Sequence, residues 1–319
     1  MAKITNAFET KDAKGNREDL SDAIYNIDPT DTPVMSTIGR RNVTNVKFDW
    51  QTENLPNADT NNAQPEGFEL QRTAGTPTVR RSNVVQISKR DATVTGSQEK
   101  ANAAGKSSEM AHQMALASKA LKIDMEKITL SNQALDAGED DGIRRTRALA
   151  HFLSTNVSRG AGGAGPASET AAITAGTQRA LTETLVKAQL QTCFDNGATP
   201  SILLTNSVNK NPIDKFEGRT NSRHNVSPDK VVSSVSVYAS DFGDLKVVLD
   251  RHLPQDRVLL LDPSFARMAF YRPFQQTPLA KIGDAETRMI VAEWGVQVDN
   301  EKAHGAVFDL FDTNAEYAV

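Results

Sequence analysis

The chain has 319 residues, 38% of them hydrophobic and 6% aromatic. That is long enough for two or three compact units, but thin in apolar groups for one large self-contained core. The formal net charge is -4, and Arg40-Arg41, Arg80-Arg81, Lys89-Arg90 and Arg144-Arg145 are scattered pairs, which read as solvated faces or subunit salt bridges and leave a sequence-specific nucleic-acid binder without its usual basic patch.

Residues 1–19 are polar and of mixed charge, an extended arm. No signal-peptide apolar run follows Met1-Ala2-Lys3-Ile4, and no stretch approaches the ~20 apolar residues that span a bilayer; a soluble protein made in a reducing cytoplasm is expected. Leu20, Ala23, Ile24 and Ile27 fall at helical spacing and stop at Asp28-Pro29. Thr32-Pro33 predicts a second short helix, with Thr32 as cap, Val34, Met35 and Ile38 as its apolar face and Gly39 closing it.

Residues 43–95 are the most informative stretch. Val46, Phe48 and Trp50 alternate with Lys47, Asp49 and Gln51, and strand formers return from Thr76 to Val94. Between them, Glu53 to Thr73 is nearly all polar residues and proline. The pattern is a long hairpin arm with a wide polar tip. A lone two-stranded ribbon is marginal in water, so the arm needs cover from outside, such as a neighbouring subunit. A chain built this way is a building block rather than a lone enzyme.

A helix is predicted over residues 106–135. Met110, Met114, Ala117, Leu121, Met125 and Ile128 step by three and four, and Leu116, Ala120, Ile123 and Leu130 form a second stripe. Glu109, Lys119, Lys122, Glu126 and Lys127 hold the remaining surface. Its length would be about 45 Å, and two stripes place it between a sheet and another element. Asp136 to Gly142 is a turn. Residues 154–178 shift in composition to Ser, Thr, Gly and Ala with almost no large apolar groups, a mobile loop or hinge. A helix follows from Thr182 and stops at Gly197. Ser201 to Thr205 is a short buried strand, Asn206 or Ser207 caps another helix, and Gly218 to Ser227 is a polar loop. Val231–Ser240, Leu245–Leu249, Val258–Leu261, Phe265–Tyr271 and Arg288–Asp299 read as strands, the last one long and alternating. The fold class is α+β.

Chemical motifs are weak. Gly160 to Gly165 contains a formal G-x-G-x-x-G, without the buried strand before it and the helix within it that a dinucleotide site requires. Asp136, Gly138, Asp140, Asp141 and Gly142 suggest a calcium loop, but Arg147 stands where its bidentate acid belongs. His112, His151, His224, His252 and His304 are dispersed. Cys193 is the single cysteine, so an intrachain disulfide or a thiolate cluster is excluded, and it reads as a packed thiol. No catalytic, cofactor-binding or metal-binding residue is assigned.

The order of arm, short helices, hairpin loop, long helix, mixed α/β insert and returning strand resembles the major capsid proteins of tailed bacteriophages with the Hong Kong 97 fold. Ile27-Asp28-Pro29-Thr30-Asp31-Thr32-Pro33 through Ile38-Gly39-Arg40, and Thr44 to Thr52, carry the resemblance. Lys281-Ile282-Gly283-Asp284 and Ala292-Glu293-Trp294-Gly295-Val296 add to it. It implies an N-terminal arm over 1–44 and an E-loop over 45–85 lying across the neighbouring subunit. It implies a peripheral (P) domain over 86–142 and 272–303, with 106–135 as its spine helix and Arg288 to Lys302 as its long strand. An axial (A) domain over 143–271 and 304–319 would surround the centre of each pentamer or hexamer. The implied function is a non-enzymatic icosahedral shell around packaged double-stranded DNA, contacted non-specifically. A portal protein and separate scaffolding or decoration proteins would be partners, with no membrane and no cofactor. Its place would be the virion, after synthesis in the host bacterial cytoplasm.

Some members of that family cross-link an E-loop Lys to an Asn on a neighbour; no Lys lies between Lys47 and Lys89 here, so a non-cross-linked shell is expected. The pattern begins within ~25 residues of Met1, and if that is the true start, scaffolding comes from a separate protein or none. Two other readings stay open: another assembly, such as a tail or baseplate protein or an encapsulin-like cellular shell, and an α/β enzyme using the Gly160–Gly165 loop.

Overall fold

The computed structural model describes residues 30–53, 55–56, 58–70, 75, 77–101, 105–139, 142–216 and 237–313. The arm over 1–19, the helix around Leu20–Ile27, the 218–227 loop and the first part of the Val231–Ser240 strand lie outside them.

Helix α1 (Pro33–Thr37) begins at the predicted proline, but the Thr32 hydroxyl does not cap it, and Ile38 takes the C-cap position. Gly39 instead opens β1 (Gly39–Asn42), which runs parallel to β10 (Ala266–Pro278). β10 pairs antiparallel with β11 (Ala285–Val298), and β11 with β4 (Gln86–Thr95), closing a four-stranded sheet in the order β1-β10-β11-β4. β10 is longer than its apolar run, Phe265–Tyr271, predicts. Its polar second half stays on β11 through register shifts after Phe270 and Arg272.

Helix α3 (Glu109–Leu130) lies on this sheet against β4 and β11, after the short α2 (Gly96–Lys100). It has 22 residues, about 33 Å, shorter than the predicted span 106–135, though both apolar stripes lie within it. The Ser108 hydroxyl accepts from Ala111 N at 3.1 Å, and Ser131 Oγ donates to Ile128 O at 2.8 Å. These caps end the helix where the two apolar stripes end. Met110, Met114, Leu121 and Met125 are buried. Leu116, Ala120 and Ile123 are only half-buried, so the second stripe is not enclosed within the subunit, although Leu130 is. Glu109 and Glu126, expected on the surface, are buried.

The strand-forming run from Thr76 to Val94 proves to be two strands. β2 (Lys47–Thr52) pairs with β3 (Val79–Val84) as the hairpin. The chain then turns at Val85, whose N–H donates to Val46 O at 2.9 Å, and continues as β4 in the sheet. Phe48 and Trp50 are buried and stacked 5.8 Å apart, with Trp50 5.9 Å from Phe152 on α4 (Leu149–Phe152). The base of the arm is therefore supported by its own chain. β11 is buried on both faces from Ile290 to Val298 because α3 covers one side and α4 with β3 the other.

A six-stranded sheet carries the order β5-β12-β9-β6-β8-β7, formed by β5 (Val157–Ser158), β6 (Ile202–Thr205), β7 (Val237–Ser240), β8 (Gly243–Leu249), β9 (Val258–Leu261) and β12 (Gly305–Val307). Helix α5 (Glu183–Asp195) packs on β12 and ends at Gly197, φ 82°, as predicted. Asn206, not Ser207, caps α6 (Ser207–Asp214) through Asn209 N at 2.8 Å. Val186, Leu190, Leu203, Ile213, Leu245, Val258 and Leu260 form a core between sheet and helices. Helix and sheet stand in separate layers, the α+β class expected.

Candidate assembly interface

The hairpin arm leaves the body as six residue pairs, Lys47↔Val84 to Thr52↔Val79, with an Arg80–Asp49 ion pair on its outer face. Its root is tied by Asn83, which is fully buried. Asn83 Nδ2 donates to Val296 O at 2.6 Å and to Thr146 Oγ1 at 3.0 Å, and Oδ1 accepts from Arg147 N at 2.9 Å. Truncating it to Ala leaves these groups unpaired in the interior, so Asn83→Ala is expected to lose about 2–3 kcal/mol; a urea-unfolding midpoint reads this directly. Arg147 supports the same corner. Its guanidinium lies 4.3 Å from the Phe152 ring centroid, and Nε donates to His151 Nδ1 at 2.9 Å. Burial lowers its pKa to about 10.

Beyond the paired base, every described residue from 55 to 70 is exposed. Leu55 is 92% and Leu70 75% exposed, and Phe68 is open as well. These three apolar groups in a polar loop have no cover within the described chain. A second uncovered tip lies between β10 and β11. Leu279 is exposed, Ile282 is 92% exposed, and Gly283 turns the chain at φ 80°. This is the Lys281–Asp284 segment singled out in the sequence. Asp284 O accepts from Gly96 N at 3.1 Å, fixing this tip to α2. Both tips hang from rigid roots, the geometry of a docking element.

At least one member of each scattered basic pair finds an intrachain partner. Arg90 makes two 2.7 Å bonds to Asp124 on α3, and Arg144 and Arg272 both meet Glu293.

The sequence motifs resolve differently. The segment 154–178 is a packed loop, not a hinge. Ala164 and Thr174 exchange two 3.1 Å backbone bonds, and the Asp309 carboxylate accepts from Gly160 N and Gly176 N at 2.9 Å each. Those bonds use the Gly160 amide that a phosphate would take. Only two residues of β5 precede the loop, and no helix opens within it. Asp136 Oδ1 accepts from Gly138 N at 3.0 Å, a local turn; Asp140 and Asp141 lie outside the described residues. Among the described residues no group of three or more His, Cys, Asp or Glu is placed to hold a metal, and no helix is long and apolar enough to cross a membrane. His224 is outside them. Cys193 is buried against Gly305, and burial pushes its thiol up to about 11.

Three key residues carried weak sequence signals. Glu126 stands four positions before Leu130, on the same helical face, but its charge hid it. Asp309 has φ 58°, a conformation Asp tolerates better than most residues. Asn83 sits in an otherwise alternating strand.

A sheet with one long helix laid on it, a second sheet-and-helix layer and a projecting hairpin arm define a shell-forming subunit with a Hong Kong 97-like capsid fold. Solved structures with this architecture include the cyanophage A-1(L) capsid asymmetric unit. It shares 13% identity over 96% of this chain and 99% of that one, with a TM-score of 0.65. The holo-SrpI encapsulin complex from Synechococcus elongatus PCC 7942 has a TM-score of 0.57 at 10% identity, covering 93% of each chain. The major capsid protein of Escherichia phage Phieco32 is 26% identical over 94% of this chain and 96% of its own length. The model of the SU10 major capsid protein family matches residues 3–311. The chain belongs to that family, and its place is the capsid shell of a phage virion.

Proposed function

We propose that the subunit assembles into pentamers and hexamers of an icosahedral shell enclosing packaged double-stranded DNA, without catalytic activity. The exposed arm on a rigid root carries this reading. Leu55, Phe68 and Leu70 gain burial only on another molecule, and repetition of such a contact closes rings. In this reading residues 1–44 are the N-terminal arm and 45–85 the E-loop across a neighbour. Residues 86–142 with 272–303 form the P-domain, whose spine is α3, and 143–271 with 304–319 the A-domain around each ring centre. DNA is enclosed rather than read, because packed DNA brings its own cations to a chain of net charge -4. A portal protein and separate scaffolding or decoration proteins complete the partners.

Expression of the chain alone, with light scattering on a sizing column and negative-stain microscopy, tests the reading. Closed shells, tubes, hexamers or pentamers are expected. A monomer that stays monomeric with coexpressed scaffolding and portal proteins would overturn it. The shell is further expected to be non-cross-linked, because the arm offers no lysine between Lys47 and Lys89. In boiled mature particles this subunit runs on an SDS gel as a single band near 34.6 kDa; a ladder of its covalent oligomers would contradict this.

A further inference from the structure

Two carboxyl groups meet in the interior where three parts of the fold join. Glu126, on α3, is fully buried. Its Oε1 accepts from Val34 N at 2.6 Å and its Oε2 from Met35 N at 2.9 Å, at the first residues of α1. Asp250, just past β8 in the six-stranded sheet, is 1% exposed. Its N–H donates to Thr205 O at 2.9 Å, and its Oδ1 accepts from His252 N at 2.7 Å. Asp250 Oδ2 is buried and receives no N–H or hydroxyl donor among the described residues. What bonds with this carboxyl is the side chain of Glu126. Two carboxylates hydrogen-bond to each other only through a proton, and two negative charges at such range in a dry interior are strongly unfavourable.

We infer that Glu126 and Asp250 hold one proton between them, and that this proton latches α1 and the six-stranded sheet to α3. The proton is kept because burial disfavours charge on both carboxyls, against the Val34 and Met35 N–H groups that favour an ionised Glu126. Burial raises Asp250 as well, while the His252 N–H and the Glu126 side chain act against that rise. Among the described residues, α1 brings no charged side chain to the pair, and Lys122, Lys127 and Arg251 point to solvent. The latch holds by hydrogen bonds that span 91 and 92 positions of sequence, so it fixes the N-terminal segment to the body and the two sheets to each other.

Burial raises the pKa of Glu126 from its ordinary 4.5 to about 8. The folded chain keeps this proton where the unfolded chain has lost it. The stability it contributes is complete below about pH 4.5, declines as pH rises, and is gone above about 8.

Asp250→Asn separates the latch from mere packing. The Asn Oδ1 still accepts from His252 N, and its Nδ2 donates to a Glu126 that no longer needs a proton. The test is difference infrared spectroscopy of the full chain between pH 5 and 9, with urea-unfolding midpoints over the same range. The parent is expected to show one buried protonated carboxyl stretch at pH 7 that disappears through about pH 8, and D250N to lack it. The folding constant of the parent relative to D250N should fall about tenfold per pH unit between 5 and 8. If D250N does not fold, the parent alone decides: its protonated carboxyl stretch should be lost over the same pH range in which its folding constant falls. Matching infrared spectra of parent and variant at pH 7, or a stability ratio that does not change with pH, would overturn the inference.

Discussion

Removal of residues 54–72 leaves a subunit that folds with an unchanged or slightly raised thermal midpoint and no longer closes into shells. The hydrogen-bonded base of the arm is untouched, since β2 ends at Thr52 and β3 begins at Val79. Phe48 and Trp50, which anchor the arm to α4, lie outside the deletion. Every described residue within it is exposed, so the core loses nothing. Joining Glu53 to Thr73 shortens the loop nearly fourfold, which returns roughly 1 kcal/mol of closure entropy. Lost with the deletion are Leu55, Phe68 and Leu70, the apolar groups without cover. Negative-stain microscopy and a melting curve on the same sample distinguish the outcomes. Normal particles would remove the E-loop from the assembly mechanism, and an unfolded subunit would mean that the tip supports its own chain.

Gly160→Ala is expected to cost the subunit at least about 3 kcal/mol, a drop in melting temperature on the order of 10 °C. A methyl group here would run into the carbonyl oxygen of Thr177 and stand 3.0 Å from the Asp309 Cβ. Both neighbours are held: Thr177 N donates to Ala161 O at 2.9 Å, and Asp309 accepts from Gly160 and Gly176. The backbone therefore cannot yield locally. Gly165→Ala in the same loop is the control, because its methyl would meet nothing closer than Arg159 Nη2 at 3.9 Å; it should change stability by less than about 0.5 kcal/mol. Equal effects at the two positions would mean that the loop is not packed as described.

Local periodicity made α3 and β11 legible, since both are set by apolar spacing against one sheet. Proline and glycine marked the start of α1 and the end of α5 for reasons of backbone geometry. Features fixed by distant partners were not legible. The Gly, Ala, Ser and Thr segment looked mobile because it has few large apolar groups. Its order comes from Asp309, 149 positions from Gly160. Glu126 looked solvated because a charge on a helix usually is; its partners lie in α1 and beyond β8. β3 and β4 share one composition, and only their different pairing partners separate them at Val85. The uncovered arm itself was readable, because a polar tip between alternating strands has no other place to gain burial.

The position of β12 sets the order in which a functional subunit can come into being. Residues 305–307 are inserted between β5 and β9, so the six-stranded sheet is incomplete until nearly the last described residues are made. β5 pairs with β12 alone, and β1 waits for β10, more than two hundred residues later. Such non-local pairing slows folding. It also means that a chain stopped before residue 305 leaves β5 without its partner strand and one edge of β9 open. The six-stranded sheet is therefore finished only once the chain has been read through residue 307.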